Sequence, residues 1–395
     1  MLTVTDIPAE DTFTKAAAAL VPLLRAQAPD AERNRRVTDE VIAALVDSGL
    51  YSASRPAAYG GDERTLTEFV RASIEIGRGC GATGWTLGIM SACQWMAGLY
   101  PRRTTDEIWA DGAAPRFCAV VAIPEDVRPE GDGVRVTGEW RYSTGCLHAD
   151  YALVGVPVFS GDGTPPRPGM GLVPMRELTI RDTWHTTGMR ASGSNTLVGK
   201  DLFIPGHRIL DVVGIDSGAV RPDNDAPLYQ AGFAAALILY VIGPYVGMAK
   251  AALELTLGQI RQGKRNTFTL AERARDVATV QLQVSEAATK IDTAELHLLR
   301  AAAVSDYRNE RHERLTDHER AQLRMDTGWA LRQSREAIEL LLDAQGASAF
   351  AEANPVQRYW RDCETGTRHG MLLPLMAQHI YGANLCGGDP VVGLL

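Results

Sequence analysis

Thr183-Trp-His-Thr-Thr-Gly-Met-Arg-Ala-Ser-Gly-Ser-Asn195 runs directly into Thr196-Leu-Val-Gly-Lys-Asp-Leu-Phe-Ile-Pro-Gly-His-Arg208, a glycine-punctuated loop followed by an apolar strand that stops at a proline. Gly188 and Gly193 open backbone conformations closed to other residues, and the hydroxyls of Thr186, Thr187, Ser192 and Ser194 can donate or accept hydrogen bonds. Such a loop suits a flat, polar ligand. Upstream, Gly138-Glu-Trp-Arg-Tyr-Ser-Thr-Gly-Cys-Leu-His-Ala-Asp150 takes a strand carrying Trp140 and Tyr142 into Ser143-Thr144-Gly145, and then into the apolar strand Tyr151 to Val158. Two hydroxyl-and-glycine loops therefore flank one sheet.

Outward from this pair the pattern changes on both sides. From Pro115 to Leu210, short runs of Val, Ile, Phe and Tyr between Gly, Pro and Asp predict a β-domain whose first strand is Phe117 to Pro124. Before it, Asp11 to Ser48 shows helical spacing broken near Pro29, Thr65 to Gly77 places its apolar residues on one helical face, and Gly81 to Leu99 is apolar almost all round. After it, Phe233 to Ile260, Ala271 to Ser305, His318 to Ala344 and Pro355 to Leu385 repeat apolar residues at three-and-four spacing, as in a four-helix bundle. The expected architecture is α+β: an N-terminal helical domain over 1–112, a β-sheet domain over 113–225 and a C-terminal four-helix bundle over 226–395.

Composition limits the function classes. With 395 residues, 45% hydrophobic and 22% charged, the chain can bury substantial cores. A net charge of -8 without a basic run argues against nucleic acid as a partner. No uninterrupted apolar run reaches the length of about 20 residues that a membrane span needs, and residues 1–25 lack a signal-like apolar core, so neither membrane nor export is expected and the location is read as cytoplasmic. Cys80, Cys93, Cys118, Cys146, Cys363 and Cys386 form no C-x-x-C pair or matching histidine spacing, so no metal site and no disulfide framework is expected.

The two loops, with the segments around them, closely resemble the middle β-domain of the acyl-CoA dehydrogenase superfamily, and specifically its flavin-dependent monooxygenase branch, the oxygenase components of two-component systems. The likeness extends over nearly the whole chain, including the tyrosine and paired glycines at Tyr59-Gly60-Gly61 and the segments Gln345-Gly-Ala-Ser-Ala-Phe350 and Asn354-Pro-Val-Gln-Arg-Tyr-Trp-Arg-Asp362. Two departures separate it from the dehydrogenases. The Thr-Glu-Pro and Gly-Ser-Asp signatures of their flavin loop are missing, and the region of their catalytic glutamate reads Cys363-Glu-Thr-Gly-Thr-Arg-His-Gly-Met371.

The resemblance implies a cofactor, reduced FMN or FAD, delivered by a separate flavin reductase, with O2 as co-substrate and a flavin C4a-hydroperoxide as the oxygenating species. It implies flavin contacts from Trp140, Ser143, Thr144, Gly145, Arg190, Ser192 and Ser194. Arg265 and Phe268, with Gln345 and Gly346, match positions that hold the flavin tail, often across a subunit boundary, so a homotetramer is expected. Trp85, Gln94, Trp95 and His148 are the candidate substrate contacts. His369 stands at the base position, where an imidazole with an ordinary pKa near 6.5 suits proton exchange near neutrality. Glu364, five residues earlier, points to another face if the segment is helical. Ring hydroxylation of an aromatic or polyketide and N-oxygenation of an amine, such as a nucleotide-linked amino sugar, both remain open. An acyl-CoA dehydrogenase, or a flavin-binding relative without catalysis, is the alternative.

Overall fold

The computed structural model describes residues 11–160, 164–265 and 270–388. Helices α1 (Thr12–Asn34), α2 (Asp39–Asp47), α3 (Leu66–Gly79), α4 (Gly81–Ala97) and α5 (Arg102–Ile108) come first. Strands β1 (Phe117–Val120), β2 (Asp126–Glu130), β3 (Gly133–Ser143), β4 (Tyr151–Val158), β5 (Arg167–Pro174), β6 (Thr179–Arg181), β7 (Asn195–Pro205) and β8 (Ile209–Asp211) follow. The chain continues through α6 (Val212–Ser217), α7 (Phe233–Arg261), α8 (Ala278–Asn309), α9 (Asp317–Gln345), α10 (Pro355–Gly366) and α11 (Pro374–Leu385). This is the expected α+β order of helices, sheet and helices.

The strands form two four-stranded sheets, β1-β4-β5-β8 and β2-β3-β7-β6. All pairings are antiparallel except β1 with β4. Val134, Val136, Trp140, Val154, Val156 and Leu197 fill a core between them, as the inward residues of alternating strands do. The first strand is shorter than Phe117 to Pro124: pairing stops at Val120, and the exposed Val121 and Ile123 continue beyond the sheet. Gly155 of β4 permits this departure, because a Cβ there would meet the Val121 and Ala122 carbonyls at 2.4 Å.

Helices from both ends of the chain share one core, which runs from Phe13 to Leu372. The tightest crossing is α3 on α7, where Gly247 lets the backbones touch: a Cβ there would lie 2.0 Å from the Ile74 carbonyl. A second tie is polar. Thr65 and Glu68 make a capping box at the start of α3, and Asp306 of α8 accepts from the Leu66 N–H at 3.0 Å and the Thr67 N–H at 2.8 Å. A side chain 240 positions along the sequence therefore completes that helix end.

Several expectations are corrected. Helix α1 continues through Pro22 and Pro29 and ends at Arg35, whose φ of 52° is left-handed. The expected last helix, Pro355 to Leu385, is two helices, because residues 370–372 form a tight turn and Pro374 restarts the chain as the first residue of α11. His369 and His379 therefore do not share one helix face. Among the described residues α7 alone is long and apolar enough to cross a membrane, with a mean hydropathy of 1.6, yet 83% of that stretch is buried in the protein. Its apolar surface faces α3, α4 and α9 as a core helix.

Candidate active site

A cavity of about 550 Å3 opens where α4, β1, the loop after β3, the 183–194 loop, α7 and the turn after α10 converge. Its α4 wall is a stripe: Trp85, Ile89, Ala92, Cys93 and Met96 recur every three or four residues and so lie on one side of the helix. Gln94 and Trp95 fall off that stripe. Trp95 packs on Phe233 and Tyr240 and donates to the Leu228 carbonyl at 3.1 Å, and Gln94 is fully buried without reaching the cavity. The expectation that these two contact substrate is corrected; Trp85 does line the cavity.

A chain of buried hydroxyls crosses one wall. Trp85 Nε1 donates to Thr144 Oγ1 at 3.2 Å, Thr144 Oγ1 lies 2.7 Å from Ser194 Oγ, and Ser194 Oγ lies 2.7 Å from Ser192 Oγ. The Gly145 N–H donates to the Ser192 carbonyl at 3.2 Å, with Gly145 at φ 77°, so two loops well separated in sequence, with Thr144 and Ser194 50 positions apart, form one wall. Thr144 and Ser194 face the cavity; Ser192 stands behind them.

Trp140 and Ser143 do not face it. Trp140 is wholly buried between the sheets and donates to the Gly155 carbonyl at 3.2 Å, and Ser143 is equally buried beside the Cys118 thiol. The cause is a bulge: the β3–β7 register shifts between Trp140 and Ser143, and Tyr142 takes a φ of 71°. The extra residue turns Tyr142 outward, 6.1 Å edge-on from Trp184, and returns Ser143 to the core side. Strict alternation would have put Trp140 and Tyr142 on one face. Tyr142 and Trp184, which sequence reasoning passed over as site residues, both line the cavity. The signal was present, since Trp184 is a large aromatic inside a loop of glycine and hydroxyl residues.

His369 also lines the cavity. Its ring sits 5.6 Å from that of Trp85, and its Nδ1 accepts the Met371 N–H at 3.3 Å. That bond places the proton of the neutral ring on Nε2. His369 is exposed on one side, and the protein around the rest of the ring desolvates it, which lowers its pKa below the ordinary histidine value. Glu364 is no substitute base: Arg335 binds both its oxygens at 2.9 Å and Arg368 binds Oε2 at 2.5 Å. Burial opposes its charge, but these arginines outweigh it and hold its pKa below the usual carboxylate value.

The 183–194 loop is pinned to α10. The Met189 N–H donates to buried Asp362 at 2.6 Å, Arg361 donates to the Thr187 carbonyl at 2.6 Å, and Gly188 touches the α10 backbone so closely that a Cβ would lie 1.9 Å from the Arg361 carbonyl. Arg190 is held on the carbonyls of Thr186 and Glu32 and lines an open groove beside the cavity.

His148 is also misplaced by the sequence reading. It is buried away from the cavity, where Arg36 approaches its Nδ1 at 3.4 Å, and burial, reinforced by Arg36, lowers its pKa to about 4. A histidine held neutral in the fold contributes stability that is complete above its unfolded pKa near 6.5 and is lost as pH falls through about 4. Wild-type protein should lose roughly 2 kcal/mol more between pH 7 and pH 4 than His148→Gln, read from urea midpoints. Parallel curves for the two proteins would remove His148 as an acid-sensitive point.

Arg265 is exposed and pairs with Arg273 across an isolated bridge; Phe268 lies outside the described residues. Buried Gln345 donates to Thr256 at 2.6 Å and accepts from Asn354 at 2.9 Å, and Gly346 ends α9 at φ 71°. None of these described residues lines the cavity of its own chain. Among the described residues no cluster of His, Cys, Asp and Glu could hold a metal ion.

Residues 10–100 match the model of the acyl-CoA dehydrogenase N-terminal domain, and residues 239–374 match that of the acyl-CoA dehydrogenase C-terminal domain. The chain is 32% identical over 375 residues to the flavin-dependent monooxygenase oxygenase subunit HsaA of Mycobacterium tuberculosis, covering 94% of each chain. It is 30% identical over 383 residues to the oxygenase component of an FADH2-dependent resorcinol hydroxylase from Rhizobium sp., covering 94% of this chain and 93% of that one. The structure of XiaF from Streptomyces sp., in complex with FADH2 and glycerol, superposes with a TM-score of 0.88 at 31% identity, covering 97% of each chain.

Proposed function

Because the chain belongs to the acyl-CoA dehydrogenase family, in its flavin-dependent monooxygenase branch, we propose that it hydroxylates the ring of a small phenolic substrate held in the 550 Å3 cavity. It is the oxygenase component of a two-component system: it uses reduced flavin and O2, and a separate flavin reductase supplies the flavin. The observation that carries this reading is His369 packed beside Trp85 on the wall of a largely apolar cavity, with the neighbouring carboxylate Glu364 locked by arginines. An enzyme that abstracts an α-proton from a thioester needs a free carboxylate there.

The cavity fits the flat ring of a flavin. Its walls are mostly apolar or aromatic, and Thr144 and Ser194 present a pair of neighbouring hydroxyls. Bound reduced flavin would supply the electrons that activate O2 for insertion of one oxygen atom. Thr144, Ser194 and Trp184 hold and orient its ring. Ile89, Met96, Leu237 and Val241 exclude water from the reacting atoms. His369 rests with its proton on Nε2; moving that proton to Nδ1, which gives up the 3.3 Å bond from Met371, frees Nε2 to take the proton of the substrate hydroxyl and later return it. Named hydroxylases among the relatives, and few cationic groups in the cavity, favour a phenol over a nucleotide-linked amine.

The assembly is a homotetramer in which Arg265, Gln345 and Gly346 reach the flavin of a partner subunit. Exposed Leu282 and Leu296 on α8, and Leu375 and Leu385 on α11, supply apolar surface for it. Light scattering that gave a monomer with full flavin binding would end this part of the reading. The protein works in the cytoplasm, where a reductase supplies reduced flavin.

Oxygen-dependent product formation from a panel of resorcinol-type and other phenols, with a flavin reductase, tests the reaction. Oxidation of acyl-CoA with an artificial electron acceptor and without O2 would overturn it. At the flavin, Thr144→Val and Ser194→Ala should each weaken reduced-flavin binding by about 0.5 to 1.5 kcal/mol, the net worth of one hydrogen bond. Ser143→Ala should leave it unchanged, because that hydroxyl faces the sheet core. Anaerobic titration separates the three; equal losses in all would reject the bulge as the device that sorts them.

A further inference from the structure

A second cavity, of about 360 Å3, lies between the start of α7, the α8–α9 turn and α11. Its volume is within the range of small-molecule sites. Two of its lining side chains are buried donors without a partner. Arg324 Nε and Asn309 Nδ2 make no hydrogen bond among the described residues, and both residues are more than nine-tenths buried. Burial lowers the Arg324 pKa to about 10, which leaves the guanidinium charged at neutral pH. An unmet buried donor costs about 1 to 3 kcal/mol, and more when it is charged.

The acids around the cavity do not meet this need. Asp216 accepts the Phe233 N–H at 3.0 Å, Glu313 is bound by Arg308, and Asp317 is bound by Arg320. No carboxylate forms an ion pair with Arg324 among the described residues, and its one bond is from a terminal nitrogen to the Met371 carbonyl at 2.9 Å. The unmet groups are all donors, and a carboxylate is the acceptor whose shape matches a guanidinium.

We propose that this cavity is a second ligand site, distinct from the reaction cavity, which takes a small molecule with one carboxylate on Arg324 and Asn309 and an apolar body against Ala235, Ala321, Leu323 and Ile380. The two sites communicate through the backbone of one residue: Arg324 donates to the Met371 carbonyl, and the Met371 N–H donates to His369 Nδ1. A carboxylate that draws the guanidinium towards itself loosens the support of the catalytic ring, so the ligand acts as an effector of turnover rather than as part of the substrate.

Hexanoate and its uncharged analogue hexanamide test the site by calorimetry on the flavin-free protein, a readout independent of the proposed reaction. Hexanoate should bind at least tenfold more tightly than hexanamide. Arg324→Met and Asn309→Asp should each weaken hexanoate at least tenfold, the first by removing the cation and the second by placing an acid opposite it. Ala321→Leu, which fills the cavity and keeps Arg324 in place, should abolish binding even if Arg324→Met fails to fold. Val241→Phe, which narrows the reaction cavity alone, should leave hexanoate binding intact. Equal affinity for acid and amide, undiminished binding in Ala321→Leu, or loss in Val241→Phe would each overturn the proposal.

Discussion

His369→Ala should cut product formation by roughly 10² to 10⁴, the usual contribution of a general acid or base, while reduced-flavin binding stays near the wild-type value. Thr144 and Ser194 are held by each other, by Trp85 and by Ser192 rather than by His369, so its removal spares the hydroxyls assigned to the flavin. Oxygen uptake should continue, with hydrogen peroxide replacing hydroxylated product. Desolvation lowers the His369 pKa, so the neutral ring persists below the ordinary histidine range, and the acid limb of the turnover profile should fall below pH 6.5 in the wild type and vanish in the variant. The ring also caps the short turn that follows it, a role worth about 1 kcal/mol. His369→Asn keeps a capping acceptor, so a turnover loss equal to that of alanine assigns the effect to proton transfer. Normal coupling of oxygen to product in His369→Ala would remove the residue from the chemistry.

Gly188→Ala should be the most damaging one-methyl change in the site. The new Cβ would lie 1.9 Å from the Arg361 carbonyl and 2.3 Å from its carbon, atoms of a helix backbone that cannot rotate aside. The loop must lift from α10, which strains both the Met189–Asp362 and the Thr187–Arg361 hydrogen bonds. The cost should reach about 3 kcal/mol, the upper end for overpacking, and the displaced Met189 and Ser194 should lower reduced-flavin affinity by tenfold or more. Gly193→Ala, where the nearest side-chain atom lies 3.0 Å away, is the milder comparison. Thermal melts and anaerobic titration read the two effects, and a Gly188→Ala protein with wild-type values in both would show that the loop is not pinned as described.

The features that sequence made legible are those carried by local chemistry. Loops of glycine with serine and threonine marked Thr144, Gly145, Ser192 and Ser194, and all four meet in one wall. Helical periodicity located most of the long helices, and the family resemblance singled out His369, which lines the cavity from the turn after α10. What was not legible depends on geometry that periodicity assumes away. A single bulge reverses the facing of Tyr142 and Ser143, so both aromatic and hydroxyl assignments on β3 shift. An apolar α4 shows no polar face by which to tell the cavity stripe from the core side, so Trp85 and Trp95 look alike in sequence and differ in the fold. His148 sits beside a cofactor loop in sequence, but its partner Arg36 lies 112 positions upstream.

The carboxylate of Asp306, which closes the start of α3, also bears on when the protein can finish folding. A ribosome delivers residues in order, and domains often settle before the next emerges. Here the amino-terminal helices lack the α7 surface around Gly247 until residues 233–261 have been made, and the cap for α3 until Asp306 follows. The first helices must therefore wait as an incomplete, partly apolar assembly, and the step that commits the molecule falls late in synthesis. Protease protection of α3 and α4 in nascent chains arrested on either side of position 306 would time that step directly.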